Sequence, residues 1–423
     1  MKEKMTKFFE KITPFLNKVG ANKYLQTIMA AMLEILGPII LGSFAVLGAV
    51  YAAKYNLTGI ANVLNAVSAV TLNGMALYIA FLIAKHLVPY FIEGDDGSAA
   101  GIISLMVFLI LVPLGQIKDK GAAITAIPTT WLSSQGVFSA MIVGILVAKS
   151  YVFMKQHNWT IKMPAGVPPM VSASFANLIP AIVDGVVAML VNYLFTLTSW
   201  GSFHQMIFSI IQTPLQNIGG SIWAMILVSL LMQILWFFGI HGTNVLNPIV
   251  MPIWMALDMQ NLEALKTGKP LPNIIGNAFF TIVTWSGTAL GLVLLMVLIS
   301  KSKRYKELGR LALIPALFGI TEPTVFGTPL VLNFNFAVPF ITNNTIAIII
   351  SYLAVKLGIV ARFSGVQTTF GLPIGVYAAV EGSVSIIILQ LFIQLVLSPL
   401  LWYPWFKHAD NLALQEEQKA VNK

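Results

Sequence analysis

The chain has 423 residues, 57% of them hydrophobic and only 10% charged, with a mean hydropathy of +0.83. So apolar a balance excludes a soluble globule, and the lack of period-two alternation excludes an outer-membrane barrel; the fold class is an all-α polytopic membrane protein. The formal charge of +9 does not imply nucleic acid, because the basic residues lie at the ends of apolar spans, and the absence of cysteine rules out any disulfide, thiolate nucleophile or cysteine metal site.

Residues 1–24 carry six lysines, with Phe8, Phe9, Ile12, Phe15, Leu16 and Val19 at spacings that predict an amphipathic helix on an anionic cytoplasmic leaflet. There is no short apolar core followed by a small-residue cleavage site, so insertion through the first span is expected. Spans follow at about 27–53, 61–88, 97–115, 136–155, 177–200 and 219–240, separated by turn-rich or charged stretches. Segment 201–218, apolar on one helical face and glutamine-bearing on the other, is expected at the outer interface or between subunits. Further spans fall at about 277–299, 336–359 and 383–403, with the basic run Lys301 to Arg310 after the first of them. One more crossing between His241 and Asn277, and a dip between Leu311 and Asn335, bring the expected total to about ten. On this topology 18 of the 25 Lys and Arg lie on the side of the N-terminus, which places both termini in the cytoplasm.

Ile314 to Asn335 reads I-P-A-L-F-G-I-T-E-P-T-V-F-G-T-P-L-V-L-N-F-N. Pro315, Pro323 and Pro329 break any helix here, and broken backbone at membrane depth persists only where protein or a wet cavity satisfies its polar groups. Glu322 sits at the centre. A carboxylate in hydrocarbon costs several kcal/mol, roughly 2.5 to 3.5 on insertion scales, so it should face a cavity. The stretch is expected to be a re-entrant hairpin presenting Thr321 and Glu322 to a solute; the alternative is a structural acid with a buried partner. A second break, F-F-G-I-H-G-T-N-V-L-N-P-I-V-M-P at Phe237 to Pro252, sets His241, Asn244 and Asn247 at the start of a half-helix, where they can exchange hydrogen bonds with hydroxyl groups. Taken alone, His241 reads equally well as a satisfied structural residue.

Glu34, Asp184 and Glu381 are weaker candidates: the first two read as helix-interface or dimer-seam residues, the third as solvated. His86, His157, His204 and His408 sit near span ends, where interfacial solvation is the default. The nine tryptophans are read chiefly as interfacial anchors, except Trp285, which lies within a span beside Thr281, Thr284 and Ser286 and could stack on a sugar face. No metal-ligand cluster, nucleophile elbow or phosphate-cradling loop is visible, and no cofactor is expected.

Three ordered motifs, V-P-P-M-V-S-A-S-F-A-N-L-I-P at 167–180, F-F-G-I-H-G-T-N at 237–244 and G-I-T-E-P-T-V-F-G-T-P-L-V-L-N at 319–333, resemble the membrane-embedded enzyme IIC component of sugar phosphotransferase systems (PTS), lactose/cellobiose/diacetylchitobiose branch. The resemblance covers nearly the whole chain. It implies a homodimeric, multi-pass permease of the bacterial plasma membrane that binds a sugar, such as the β-linked disaccharide cellobiose. The sugar's 6-hydroxyl would be phosphorylated by the phosphocysteine of a separate cytoplasmic IIB protein, itself served by IIA, HPr and enzyme I. By that analogy Glu322 is the general base, His241 hydrogen-bonds the same end of the sugar, and Asn244, Asn247, Thr321 and Trp285 join the substrate site. It further implies a scaffold and dimerisation domain at 25–218, a substrate domain with re-entrant hairpins at 219–406 and a cytoplasmic tail at 407–423. One departure stands out. Family members commonly have P-W-T-T-P before the last span, where this chain reads V-Q-T-T-F-G-L-P at 366–373. Gln367 stands where the aromatic platform would fall, so either Trp285 or Phe370 replaces that platform or the site recognises sugar hydroxyls through amides, with Gln367 and Asn244 as donors; the second is the expectation. Asn333 is likewise followed by Phe334 instead of the frequent proline.

Two other functions fit the residues: a proton-coupled sugar symporter in which Glu322 carries the proton, and a non-transporting membrane sugar sensor. The chemical form of the sugar released inside separates them, being phosphosugar for group translocation and free sugar for symport.

Overall fold

A computed structural model of the chain describes residues 14, 18, 21–119, 122–164, 166–369 and 371–421; the amphipathic helix expected at 1–24 lies almost wholly outside them, and Phe370 lies outside them too. The described chain divides into two compact units. One is Ala21–Asn217 with the short stretch Met251–Ala256; the other is Ile218–Val250 with Leu257 onward.

In the first unit, Met75–Leu87, Ser98–Leu111 and Val137–Gln156 pack closely because small residues face large ones. Gly101 lies against Phe81 and Gly144 against Ile83, with no room for an added methyl. Ser104 Oγ donates to Ala80 O at 2.7 Å, so a buried hydroxyl is satisfied across the contact. Both weak acidic candidates of this unit join helices: Glu34 pairs with Lys85 at 3.2 Å and with His86, and Asp184 accepts from Ser150 Oγ at 2.6 Å. A β-hairpin, Gly115–Asp119 with Ala122–Ala126, follows the short helix Ser98–Leu111, where the sequence predicts a span running on to 115.

Segment 201–218 departs from the expected interfacial helix. Phe203–Ile207, a π turn at Phe208–Gln212 and Thr213–Gly219 turn their polar residues inward. His204, expected to be solvated, is fully buried, bonded to Ser139 Oγ at 2.7 Å and stacked with Trp131. Gln212 Nε2 donates to Ser134 O at 2.8 Å. The glutamine face is a packing face because helix carbonyls and hydroxyls meet it.

The second unit is built on Ile222–Phe237, Gly242–Lys266, Ala337–Lys356 and a long final helix, Val384–Phe392 continuing through a π turn into Ser398–Val421. Phe237, Met296, Leu330, Phe336, Trp402 and Phe406 fill its core. The proline-rich stretch is broken as the sequence predicts: Lys303–Leu317 carries Pro315 near its end, the chain turns through Gly319 (φ +81°), and a short helix Glu322–Gly327 starts with Pro323 in its first turn. The return loop passes through Leu332 (φ +56°), whose N–H donates to Phe237 O at 2.9 Å and ties the hairpin to the other broken segment.

The span expected at 277–299 is not continuous. Asn277–Val283 and Leu290–Leu298 flank a turn in which Ser286, Gly287 and Thr288 all have left-handed backbone, with φ of 59°, 54° and 52°. Side chains of the final helix satisfy the freed carbonyls: Gln394 Nε2 donates to Trp285 O at 2.8 Å, and Trp402 Nε1 (3.0 Å) and Ser398 Oγ both donate to Thr288 O. Broken backbone is tolerated here because protein replaces the missing helix partners. Trp402, with Trp131, Trp254 and Trp285, is therefore a buried tryptophan rather than an anchor, whereas Trp159, Trp200, Trp223 and Trp405 are exposed.

The tail expected at 407–423 continues the final helix to Val421 and lies against the basic run. Asp410 accepts from Lys301 N (2.9 Å) and Ser302 N (3.0 Å), and Glu417 from Lys303 N and Arg304 N (both 3.0 Å). Among the described residues seven helices are long and apolar enough to cross a bilayer, eight if Phe203–Gly219 and Ile222–Phe237 count as one broken span. Reaching ten needs shorter or more polar helices, such as Ser98–Leu111 and Gly242–Lys266.

Candidate functional site

The breaks of the second unit surround a cavity of about 290 Å³. Its wall combines aromatic planes (Trp236, Phe280, Trp285, Phe340, Tyr377) with neutral polar groups, among them Asn247, Asn277, Thr321 and Asn344. Among the described residues no lysine, arginine, aspartate or glutamate lines it. Such a wall suits a neutral polyhydroxylated solute, whose ring faces are apolar and whose edges are hydroxyls.

Each break contributes for a local reason. The left-handed turn puts Trp285 and Ser286 on the wall, and Gly319, opposite, lies against the Trp285 indole, where a methyl would stand 3.3 Å from the ring nitrogen. Two buried oxygens on the wall, Ser286 Oγ and Asn344 Oδ1, have no hydrogen-bond partner among the described residues. Buried polar atoms left open in this way mark places where a ligand or water completes the bonding.

Glu322 and His241 are exposed and do not line the cavity, but both adjoin it: Thr321 precedes Glu322, and the Trp236 and His241 rings meet at a tilt, with centroids 4.2 Å apart. His241 Nδ1 accepts from Asn244 N at 3.2 Å and so caps the helix Gly242–Lys266, which leaves Nε2 to donate outward. Asn244 is exposed near this turn and contributes its backbone to the cap, whereas Asn247 reaches the wall.

Gln367 takes a different place from the one expected. It is buried at 3% exposure, its Nε2 donating to Asp258 Oδ2 at 2.8 Å and to Gly365 O at 2.9 Å, and it meets the cavity only through Asn277, whose Nδ2 donates to Gln367 Oε1 at 2.9 Å. Glu381, expected to be solvated, is also buried, accepting from Ser364 N (2.6 Å), Gly365 N (3.1 Å) and Ser364 Oγ (2.7 Å). Sequence reasoning missed Trp236, Asn277 and Asn344 as wall residues. The run T-N-N-T at 342–345 within an apolar span and the S-G pair at 286–287 were the available signals. Among the described residues no three His, Cys, Asp or Glu stand together to hold a metal.

A helical membrane protein whose broken segments enclose a neutral, aromatic-walled cavity is built as a transporter for an uncharged solute. The particular family follows from comparison: residues 26–344 match the model of the phosphotransferase system EIIC family. The chain is 33% identical to the oligo-beta-mannoside-specific EIIC component of Bacillus subtilis (strain 168), over 97% of this chain and 96% of that protein. It is also 33% identical to the cellobiose-specific EIIC component of Geobacillus stearothermophilus, over 97% and 95%. The crystal structure of the transporter ChbC, the IIC component from the N,N'-diacetylchitobiose-specific phosphotransferase system, superposes with a TM-score of 0.89 at 33% identity, covering 97% of this chain and 99% of that one. The chain belongs to the phosphotransferase system EIIC family and is a multi-pass sugar permease.

Proposed function

We propose that the chain carries a β-linked disaccharide of the cellobiose type across the plasma membrane, and that the sugar's 6-hydroxyl is phosphorylated by the phosphocysteine of a separate IIB protein. The observation that carries this reading is the cavity itself, with Trp285 and Trp236 as planes, amides and hydroxyls between them, and Glu322 with His241 at its border. The sugars for which the relatives are named, oligo-β-mannoside, cellobiose and N,N'-diacetylchitobiose, are all β-linked and support the choice of sugar. In this reading Glu322 takes the hydroxyl proton as phosphoryl transfer proceeds, and His241 Nε2–H donates to the same end of the sugar. The chain has no cysteine, so the phosphate carrier is another polypeptide. The proposal extends to cytoplasmic termini, a homodimer and a lipid-facing surface; the pairing of the tail with the basic run supports one shared side for both.

Uptake into inverted or reconstituted vesicles supplied with IIA, IIB and phosphoenolpyruvate-driven phosphate tests it. Phosphodisaccharide in the product compartment is the expected result. Free sugar moving with protons would establish the symporter instead, and sugar binding without movement the sensor.

A further inference from the structure

We infer that Asp258, acting through Gln367, fixes which way the Asn277 amide faces, and that Asn277 thereby selects a sugar hydroxyl able to donate to its carbonyl oxygen; this rests on the sugar-binding reading above. The chain of reasoning starts at a carboxylate. Asp258 is 1% exposed, and its Oδ2 accepts from Ala278 N and from Gln367 Nε2, both at 2.8 Å. The other Gln367 N–H goes to Gly365 O at 2.9 Å. A carboxylate and a peptide carbonyl in these positions act as acceptors, so the nitrogen of Gln367 must face them and its oxygen must face away. The two ends of an amide are ordinarily hard to tell apart by shape. Here the acceptors decide.

Gln367 Oε1 then meets Asn277, which can answer only with its own nitrogen, at 2.9 Å. Asn277 is left with Oδ1 and one N–H on the cavity wall, and among the described residues no protein hydrogen bond involves that oxygen. Polarity is thus passed from a buried acid to a wall amide through two intervening bonds. The supports of this relay are rigid. Gly276 and Gly365 abut Asp258 with no space for a methyl, and Glu381 grips the Ser364–Gly365 backbone from the other side. Asn277 therefore cannot easily invert to suit a different ligand, because inversion would set its oxygen against Gln367 Oε1 and leave both without a proton between them. A wall of aromatic planes tolerates many sugars. A fixed acceptor discriminates, since a site built to hydrogen-bond a hydroxyl rejects an analogue that lacks it.

Asn277 and Gln367 are positioning and specificity residues in this account, so the readout is a ratio of affinities. The purified chain is titrated calorimetrically in detergent with cellobiose, lactose and β-mannobiose, then with the monodeoxy derivatives of whichever parent binds. Wild type should lose about tenfold or more at one deoxy position, the loss expected of an unmade hydrogen bond. In Asn277→Ala, a truncation at the cavity wall, and in Gln367→Met, that parent-to-deoxy ratio should fall below about threefold, with the ratios at other positions unchanged. A uniform weakening for parent and all deoxy sugars, with every ratio kept in Asn277→Ala, would overturn the inference while leaving sugar binding intact. Should wild type bind none of the three parents, the sugar-binding reading and this inference fall together. Should Gln367→Met not fold, Asn277→Ala decides alone.

Discussion

The indole of Trp236 lies against the imidazole of His241, centroids 4.2 Å apart and planes inclined by 47°, while His241 Nδ1 holds the Asn244 backbone amide at 3.2 Å. One side chain thus closes a helix N-terminus and keeps a second ring nitrogen that the cap does not use. Asparagine is also a good N-cap but lacks that second nitrogen. His241→Asn should therefore keep thermal stability close to wild type and weaken sugar affinity about tenfold. His241→Ala should lose both the affinity and about 1 kcal/mol of stability. Melting in detergent with parallel calorimetry checks this; equal melting losses in the two variants would refute the capping role.

Glu322→Gln retains hydrogen-bonding capacity and loses basicity. Sugar binding is expected to persist, with phosphoryl transfer from IIB falling by about 10² to 10⁴, the range for removal of a general base. Transfer within about threefold of wild type would sink the assignment.

Ser286 holds a left-handed backbone, at φ 59° and ψ 20°, and a buried hydroxyl without a protein partner on the cavity wall. Such strain costs about 1 kcal/mol or more for a non-glycine residue. Ser286→Gly should leave the melting temperature unchanged or raise it, and should weaken sugar binding. A variant that melts lower and binds normally would assign the hydroxyl to stability instead.

Gly242 starts its helix with its α-carbon against the Met232 carbonyl, whereas Gly59 has open space around it. Gly242→Ala should destabilise by about 1–3 kcal/mol, as overpacking does, and Gly59→Ala should be neutral or slightly stabilising. Thermal unfolding of the two variants side by side is the measurement.

Orientation is testable because the native chain has no cysteine. Lys306 in the basic run and Thr58 are both exposed and accept a single cysteine. An impermeant maleimide added to intact cells should label Thr58→Cys and spare Lys306→Cys until the membrane is opened. The reverse pattern would invert the topology.

Composition alone established a helical membrane protein, since an apolar chain this long can satisfy its backbone in lipid mainly by forming helices. Proline and glycine chemistry marked the interruptions at Gly239–His241 and at Gly319–Pro323, because backbone freedom and a missing N–H are properties of single residues. The turn at Ser286–Thr288 was harder to read. Serine and threonine are tolerated in apolar helices, and what permits the break is a set of donors, Gln394, Ser398 and Trp402, more than 100 residues further along. The same holds for polar residues with two possible fates. His204 and Glu381 read as solvated, and tertiary contacts buried them by supplying partners. Gln367 was legible as a residue with both donor and acceptor groups. Only the fold decided that its nitrogen meets Asp258 and its oxygen Asn277, because an amide's direction is set by which acceptors surround it, and those come together from segments far apart in the chain.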